Sequence, residues 1–385
     1  MMKRREFLGA LGATAVVGWL PDVACAAAGQ YDKLLILVEL KGGNDGLNTV
    51  VPYADSEYYN LRPRIAIPRD QVLQLDSRAG LHPSLQPLMA LWQNHELAVV
   101  QSVGYPSANL SHFRSIEIWD TASRSTEYLS DGWLTRAFAD APVPKSYAAD
   151  GIIVGSSEMG PLAGGGTRAL ALTNTEQFLR QAKLAGSAGA SRNHALNHIL
   201  KVEQDVAQAA VNLNTNYLFR AEFPNHPLGN AFKTAAQVIA SKAGVAVVKV
   251  THNGFDTHSN QQNTQQRLLK ELAEGLTAMR AAMQEIGRWE TSLMMTYCEF
   301  GRRPKENQSG GTDHGTANAH FVLGGRVKGG LYGLPPVLAR LDGNGNPPFA
   351  VDFRDLYATA LEGWWGLNSA VALNGRFRPV DVLRA

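Results

Sequence analysis

The feature that most constrains the fold is a nearly continuous apolar run at residues 34–40, LLILVEL. Runs of this kind are typical of strands buried on both faces, as the central strands of parallel sheets are. Further short apolar runs lie at residues 97–103, 245–250, 293–297 and 321–323. Helical patterns separate several of them. The alternation predicts an α/β protein, a three-layer α/β/α sandwich with a largely parallel sheet.

The clearest helical pattern follows the run at 245–250. Its apolar side chains recur at steps of three and four residues, namely Leu269, Leu272, Leu276, Met279 and Met283. Such a stripe forms one face of a helix and packs against a sheet. We therefore predict that these methionines belong to the core and do not bind a cofactor or metal.

The N-terminal sequence predicts an export signal. Arg4 and Arg5 precede an apolar, Gly/Ala-rich run at residues 9–20, and small residues at 24–28 suit cleavage. This is the layout of a twin-arginine signal peptide. The run is short and Gly-rich for a permanent transmembrane helix. An N-terminal anchor that is never cut is the alternative.

We therefore predict two segments, a twin-arginine signal peptide at 1–28 and a single α/β domain at 29–385. The twin-arginine translocase would be a partner during export, which would place the protein in the periplasm or outside the cell. No stable membrane span is expected after signal cleavage. Substrates of this route cross the membrane already folded, which suits a protein that acquires a metal before export.

Composition argues against nucleic acid as a partner. The net charge is +2 over 385 residues, and no basic run follows the signal. The chain therefore lacks the positive field that nucleic-acid binding requires. Of the two cysteines, Cys25 lies at the signal border, which leaves Cys298 alone. No disulfide is expected.

Polar residues follow several of the apolar runs. Asp45 follows the first run in a Gly-rich segment, which an ordinary turn would also explain. Asp256 and His258 follow the run at 245–250 and lie on the same side of an extended segment, because side chains alternate with period two. A carboxylate and an imidazole at a strand end are ligands that zinc-like ions prefer.

The stretch 291–330 concentrates such residues. Its first apolar run ends near Glu299, followed by Arg302, and a Gly-rich loop then contains Asp313 and His314. Ligands of α/β proteins bind at the carboxyl ends of strands, so these side chains are candidates for a binding site. A solvated, charged loop is the alternative.

Ser111 marks the predicted start of a helix after the run at 97–103. Its hydroxyl has two possible roles. It is an N-cap that serves only the helix, or it is a nucleophile, since the amides and dipole of a helix start stabilise an anion. The residues alone leave both open.

Several segments together resemble a known family. They are LVELKGGNDGLNTVVPY, LSHFRSIEIWDT, GFDTH, EFGRR and GTDHG, behind the arginine signal. The chain resembles over nearly its whole length the exported bacterial family called domain of unknown function 1501. That family in turn resembles, more distantly, the alkaline phosphatase and sulfatase superfamily, which implies an alkaline-phosphatase-like fold.

The resemblance implies roles for individual residues. Asp45 would be a metal ligand after the first strand, and Ser111 would be the nucleophile at a helix start. Asp256 and His258 would be metal ligands after a later strand. Where the superfamily has Asp-His at the next strand end, this chain has Glu299 followed by Phe300, so the histidine is absent.

That departure leaves two arrangements open. Glu299 would replace the aspartate as a metal ligand, with Asp313 and His314 supplying the later histidine. Alternatively, Asp313 and His314 are the displaced Asp-His pair, and His320 is the last ligand.

The resemblance implies an exported metal-dependent hydrolase of phosphate or sulfate esters. One or two divalent ions, zinc or manganese, would act with Ser111 as nucleophile, and Arg302 would bind a non-bridging oxygen. The substrate would be a small-molecule or polymer ester. A periplasmic binding or assembly protein that keeps the fold without catalysis is the main alternative. A metal-dependent phosphomutase or transferase is a third.

Overall fold

The computed structural model describes residues 30–172, 216–241 and 243–384. The predicted signal peptide at 1–28 lies outside the described residues, so it stays a prediction. None of the helices in these ranges has the length and apolar character that crossing a membrane requires.

Fourteen strands are formed by the described residues, and in chain order they are β1 (Leu34–Lys41), β2 (Val50–Val51), β3 (Leu73–Gln74), β4 (Gly80–Leu81), β5 (Leu97–Gly104), β6 (Ala149–Val154), β7 (Ala169–Leu172), β8 (Val245–Asn253), β9 (Ser292–Tyr297), β10 (Gly301–Glu306), β11 (Thr312–Gly315), β12 (Asn318–Leu323), β13 (Gly330–Tyr332) and β14 (Val351–Asp352).

The α-helices of the described ranges are α1 (Gly46–Thr49), α2 (Ser56–Leu61), α3 (Met89–Gln93), α4 (His112–Thr121), α5 (Trp133–Asp140), α6 (Pro227–Ala240), α7 (Gln261–Glu285), α8 (Phe353–Ala358) and α9 (Ser369–Ala372).

A nine-stranded sheet forms the centre, in the order β13-β5-β12-β9-β1-β8-β6-β7, with β14 also paired to β5. Every neighbouring pair is parallel except those of β12, which is antiparallel to both β5 and β9. The prediction of a largely parallel sheet is confirmed. The exception has a local cause. The chain passes from β9 to β12 through the antiparallel pair β10 and β11. A parallel return would need a crossover connection, which this segment lacks.

Strand β1 divides the core into two layers. Leu34, Ile36 and Val38 belong to one buried apolar cluster, which also contains side chains of α6 and α7. Leu35 and Leu37 point to the other face and belong to a second cluster with side chains of α4, α5 and α8. Helices therefore cover both faces of the sheet, and the three-layer prediction is confirmed.

Helix α7 buries the apolar face that the sequence predicts. Leu269, Leu272, Leu276, Met279 and Met283 are all fully buried. Burial of one such side chain stabilises the fold by roughly 1.5–3 kcal/mol. The two methionines are core residues, as expected.

The carboxyl ends of β9, β1 and β8 lie side by side, because the three strands are adjacent and parallel. The turns that follow them are packed closely. Gly42 has a φ of +117°, and a Cβ added there would lie 2.4 Å from the backbone nitrogen of Asp256. Glycine therefore lets the turn after β1 contact the segment after β8.

Candidate functional site

Asp256 is the centre of a polar cluster at this edge. His258 Nε2 is 3.0 Å and His314 Nε2 is 3.3 Å from Asp256 Oδ1. His112 Nε2 is 3.4 Å from the other oxygen, Oδ2. We call these four residues the histidine cluster. The segment after β8, the start of α4 and strand β11 each contribute to it, so the sheet edge assembles residues from three distant parts of the chain.

Arg302 keeps Asp256 ionised. Partial burial of Asp256 opposes its ionisation, but a 2.7 Å hydrogen bond from Arg302 Nη2 and the nearby charges lower the pKa of the carboxyl to about 2. Asp256 is therefore a carboxylate at neutral pH, as a metal ligand has to be.

Three members of the histidine cluster could hold a metal ion together. His112, Asp256 and His314 each offer one ligand atom, and these atoms all lie within 4.8 Å of one another. Two imidazoles and a carboxylate form a donor set that suits zinc and related ions. Burial lowers the pKa of His314, which favours the neutral imidazole that a metal needs.

The ring nitrogens of the cluster are also crowded. His258 Nε2 and His314 Nε2 are 2.9 Å apart. Two such atoms need either one N–H and one lone pair, or a cation between them. His112 Nε2 is buried and has no hydrogen-bond partner among the described residues. A bound cation would satisfy both features, so the residues present fit a metal.

Glu299 lies behind His112. Its Oε1 is 2.8 Å from His112 Nδ1 and accepts the backbone N–H of Gly42 at 2.9 Å. The hydrogen bond with Glu299 is the largest influence on His112, and it raises the pKa of the imidazole. The predicted ligand Glu299 thus contacts a histidine of the cluster and is not one of the three grouped donors.

Asp45 lies in a neighbouring buried network. Arg62 binds both oxygens of its carboxylate, with Nη1 2.5 Å from Oδ2 and Nη2 3.0 Å from Oδ1. Gln261 Nε2 donates a further hydrogen bond to Oδ2. Both side chains of the ion pair are fully buried. The role of Asp45 as a metal ligand stays a prediction. In this geometry a metal ion would have to compete with Arg62 for the carboxylate oxygens of Asp45.

Arg302 is in the site but is fully buried. Its remaining hydrogen bonds all go to backbone carbonyl oxygens, those of Gly42, Gly43, Phe255 and Thr312. The guanidinium thus ties the turns after β1 and β8 to β11. The predicted contact with a substrate oxygen is untested, and these bonds favour a positioning role instead.

The other predicted residues differ in how they meet the cluster. Ser111 is exposed at the N-cap of α4, next to His112, and its hydroxyl makes no capping hydrogen bond. Asp313 is at the edge, with Oδ1 3.5 Å from His258 Nδ1. His320 lies elsewhere, fully buried against Trp119, and burial lowers its pKa to about 3.

His112 is the site residue that the sequence analysis left unassigned. The sequence places it next to Ser111 at a helix start, and nothing in that pattern tells which of the two side chains turns towards the sheet edge. The structure directs the imidazole inward and leaves the serine at the surface.

The fold and the site define an α/β protein with a candidate metal centre at the carboxyl edge of its sheet. The family described as "Protein of unknown function (DUF1501)" matches residues 66–370, and the chain belongs to this family. The sequence motifs indicated the same family. A comparison with curated proteins finds no match.

Three solved structures that resemble this chain in part are a sulfatase, a phosphonate monoester hydrolase and a protein in the alkaline phosphatase superfamily. The PsFucS1 sulfatase from Pseudoalteromonas sp. has a TM-score of 0.41 and 11% identity, covering 94% of this chain and 75% of its own. Phosphonate monoester hydrolase SpPMH from Silicibacter pomeroyi has a TM-score of 0.42 and 10% identity, with 90% and 76% covered. A protein in the alkaline phosphatase superfamily from Vibrio parahaemolyticus has a TM-score of 0.43 and 10% identity, with 89% and 69% covered.

Proposed function

We propose that this protein is an exported metal-dependent hydrolase of phosphate or sulfate esters. The observation that carries the proposal is the grouping of the ligand atoms of His112, Asp256 and His314 within 4.8 Å. They converge at the carboxyl edge of a largely parallel sheet, where α/β proteins bind their ligands.

The metal would be zinc or manganese, since calcium and magnesium prefer sites made of oxygen ligands. When bound, such an ion polarises an ester oxygen and lowers the pKa of a bound water. His112, Asp256 and His314 would hold it. His258 and Asp313 lie beside them and would serve a second ion, which accounts for one or two ions per chain.

Ser111 would be the nucleophile. It is exposed at the start of α4, where the helix amides stabilise a developing negative charge. The phosphoryl or sulfuryl group would pass to the Ser111 hydroxyl oxygen, and the hydroxyl proton would pass to the departing alkoxide, which leaves as the alcohol. Water would then release the acid and restore the serine.

A cavity beside Leu110, the residue before Ser111, would receive the organic part of the ester. This cavity of about 690 Å³ is lined by Leu110, Tyr105, Arg340 and Phe349, among others. The Leu110 carbonyl is 2.7 Å from His314 Nδ1, so the cavity borders the cluster. Its size suits a substrate much larger than a phosphate or sulfate ion alone, whether a small molecule or a polymer end.

The test combines metal content with turnover. Purified mature protein, loaded with zinc or manganese, should bind at least one equivalent and hydrolyse a chromogenic phosphate or sulfate ester. His314→Ala should weaken metal affinity by at least about 10-fold, since removing even a residue that only hydrogen-bonds to a metal ligand costs that much. The His314→Ala variant should also lose turnover of the ester, because the proposed reaction needs the metal. His95→Asn changes an exposed histidine outside the cluster and should retain both.

A wild-type protein that holds neither metal contradicts the hydrolase mechanism, and the periplasmic binding or assembly protein takes its place. Bound metal without turnover of either ester class contradicts the catalytic part alone.

A further inference from the structure

Glu299 and Asp256 contact opposite nitrogens of the His112 ring. Glu299 Oε1 is 2.8 Å from Nδ1, whereas Asp256 Oδ2 is 3.4 Å from Nε2. The same Glu299 oxygen accepts the N–H of Gly42. An oxygen that accepts one N–H is placed to accept a second, so the proton of the Glu299–His112 bond is assigned to Nδ1.

This proton position determines what His112 presents to the cluster. A neutral imidazole with its proton on Nδ1 carries a lone pair on Nε2. That atom is buried and without a hydrogen-bond partner among the described residues. A lone pair that faces a carboxylate oxygen is repelled by it unless a proton on Nε2 or a metal ion lies between them. Histidines that bind a metal through one ring nitrogen commonly donate the N–H of the other nitrogen to a carboxylate, and His112 with Glu299 has this arrangement.

A second contact ties Glu299 to the helix that carries His112. Ser115 Oγ donates a hydrogen bond to the backbone carbonyl of Glu299. Ser115 is on α4, one turn after His112, and is fully buried. This bond anchors the backbone of Glu299 to the helix that carries His112, and the carboxylate contributes no ligand atom to the group of three.

We propose that Glu299 is a positioning residue for metal binding, which fixes His112 in the Nδ1–H tautomer and so directs Nε2 towards a divalent ion. Glu299 does not bind the ion itself. This inference rests on the proposed metal site, and it replaces the ligand role that the sequence suggested for Glu299.

A double-mutant cycle tests the proposal without any measurement of activity. The affinity for Co²⁺ and Zn²⁺ is measured for the wild type, Glu299→Gln, His112→Ala and the double variant. Glu299→Gln removes the negative charge that strengthens the Nδ1–H bond and the basicity of Nε2, so it should weaken affinity by about 10- to 100-fold and shift the visible absorption bands of bound Co²⁺. His112→Ala should weaken it at least as much. The double variant should bind no more weakly than His112→Ala, because Glu299 acts through His112.

Two controls separate positioning from folding. Glu306 is on β10, outside the cluster, and its carboxylate pairs with Arg64. The Glu306→Gln variant should bind metal like the wild type. Glu299→Asp keeps the charge but shortens the side chain, so it should lose the contact with His112 and weaken binding if Glu299→Gln does not fold. Thermal unfolding of each variant verifies the fold.

Additive losses in the double variant would overturn the proposal, since Glu299 would then bind the ion directly or act through the Gly42 turn. Wild-type affinity and an unchanged Co²⁺ spectrum in both Glu299→Gln and Glu299→Asp would overturn it as well. If the wild type itself binds no metal, the proposed function fails together with the role of Glu299. The first two outcomes, by contrast, contradict only the role of Glu299.

Discussion

At the scale of single residues, the same side chain type has different surroundings at two strand ends. Asp256 is half exposed and faces three imidazoles. Asp45 is fully buried and has both oxygens bound by Arg62. A metal would have to displace those bonds at Asp45 but meets an accessible carboxylate at Asp256. The geometry therefore favours a structural role for Asp45.

Asp45→Asn distinguishes the two roles. Removing one partner of a buried ion pair leaves the other charge uncompensated, so we expect the free energy of unfolding to fall by about 3–5 kcal/mol. Metal stoichiometry should stay at the wild-type value. Urea unfolding and metal analysis of the same preparation provide the measurement. Asp313→Asn, a half-exposed control, should cost less than about 1 kcal/mol. Loss of metal from Asp45→Asn at unchanged stability would make Asp45 a ligand.

At the scale of elements, the site depends on how tightly the turns after β1 and β8 pack. Both strands are parallel and adjacent, which brings their ends together. Gly42 then permits a backbone contact that no side chain would tolerate. Arg302 bonds carbonyl oxygens on both turns and so fixes them to each other. The position of Asp256 is therefore determined by the turn after β1.

Gly42→Ala should displace the Asp256 segment. The added Cβ would lie 2.4 Å from a backbone nitrogen, so one of the two turns must move. We expect weaker metal binding and a loss of stability greater than the roughly 1–3 kcal/mol of an unfavourable positive φ alone.

Gly287→Ala is the matched control, since Gly287 also has a positive φ, +69°, but open space around its Cβ position. It should show the backbone cost and unchanged metal affinity in the same calorimetric and unfolding measurements. Equal effects of the two substitutions would mean that the turn contact does not position Asp256.

At the scale of the whole molecule, export and metal loading are linked in the proposed function. A site built from residues 112, 256 and 314 exists only in the folded chain. Twin-arginine export carries folded proteins, so the predicted signal would let the metal bind before the protein crosses the membrane. The signal itself stays a prediction.

Arg4→Lys combined with Arg5→Lys should abolish accumulation of the mature protein in the periplasm. Cell fractionation and immunoblotting measure the mature and precursor forms. Arg376→Lys with Arg378→Lys changes two exposed arginines of the mature chain and should leave export intact. Periplasmic accumulation that is unchanged by the first pair of substitutions excludes the twin-arginine route.

The sequence by itself determined the local structure of this protein. The apolar run at 34–40 became the central strand β1, and the stripe on α7 became a buried face. Such patterns are read correctly because the periods of helix and strand repeat over short distances. The position of Asp256 and His258 after a strand is local in the same way, and both are in the cluster.

Only the tertiary structure decided which partner each polar side chain meets. Glu299 and His112 are 187 residues apart, and Arg302 and Gly43 are 259 apart. These contacts depend on the order β9-β1-β8 and on the place of α4 over the sheet. Periodicity carries no information about strand order or about which side chain of a helix start turns inward. The pairing of Asp45 with Arg62 and that of His112 with Glu299 therefore follow only from how the elements pack in the fold.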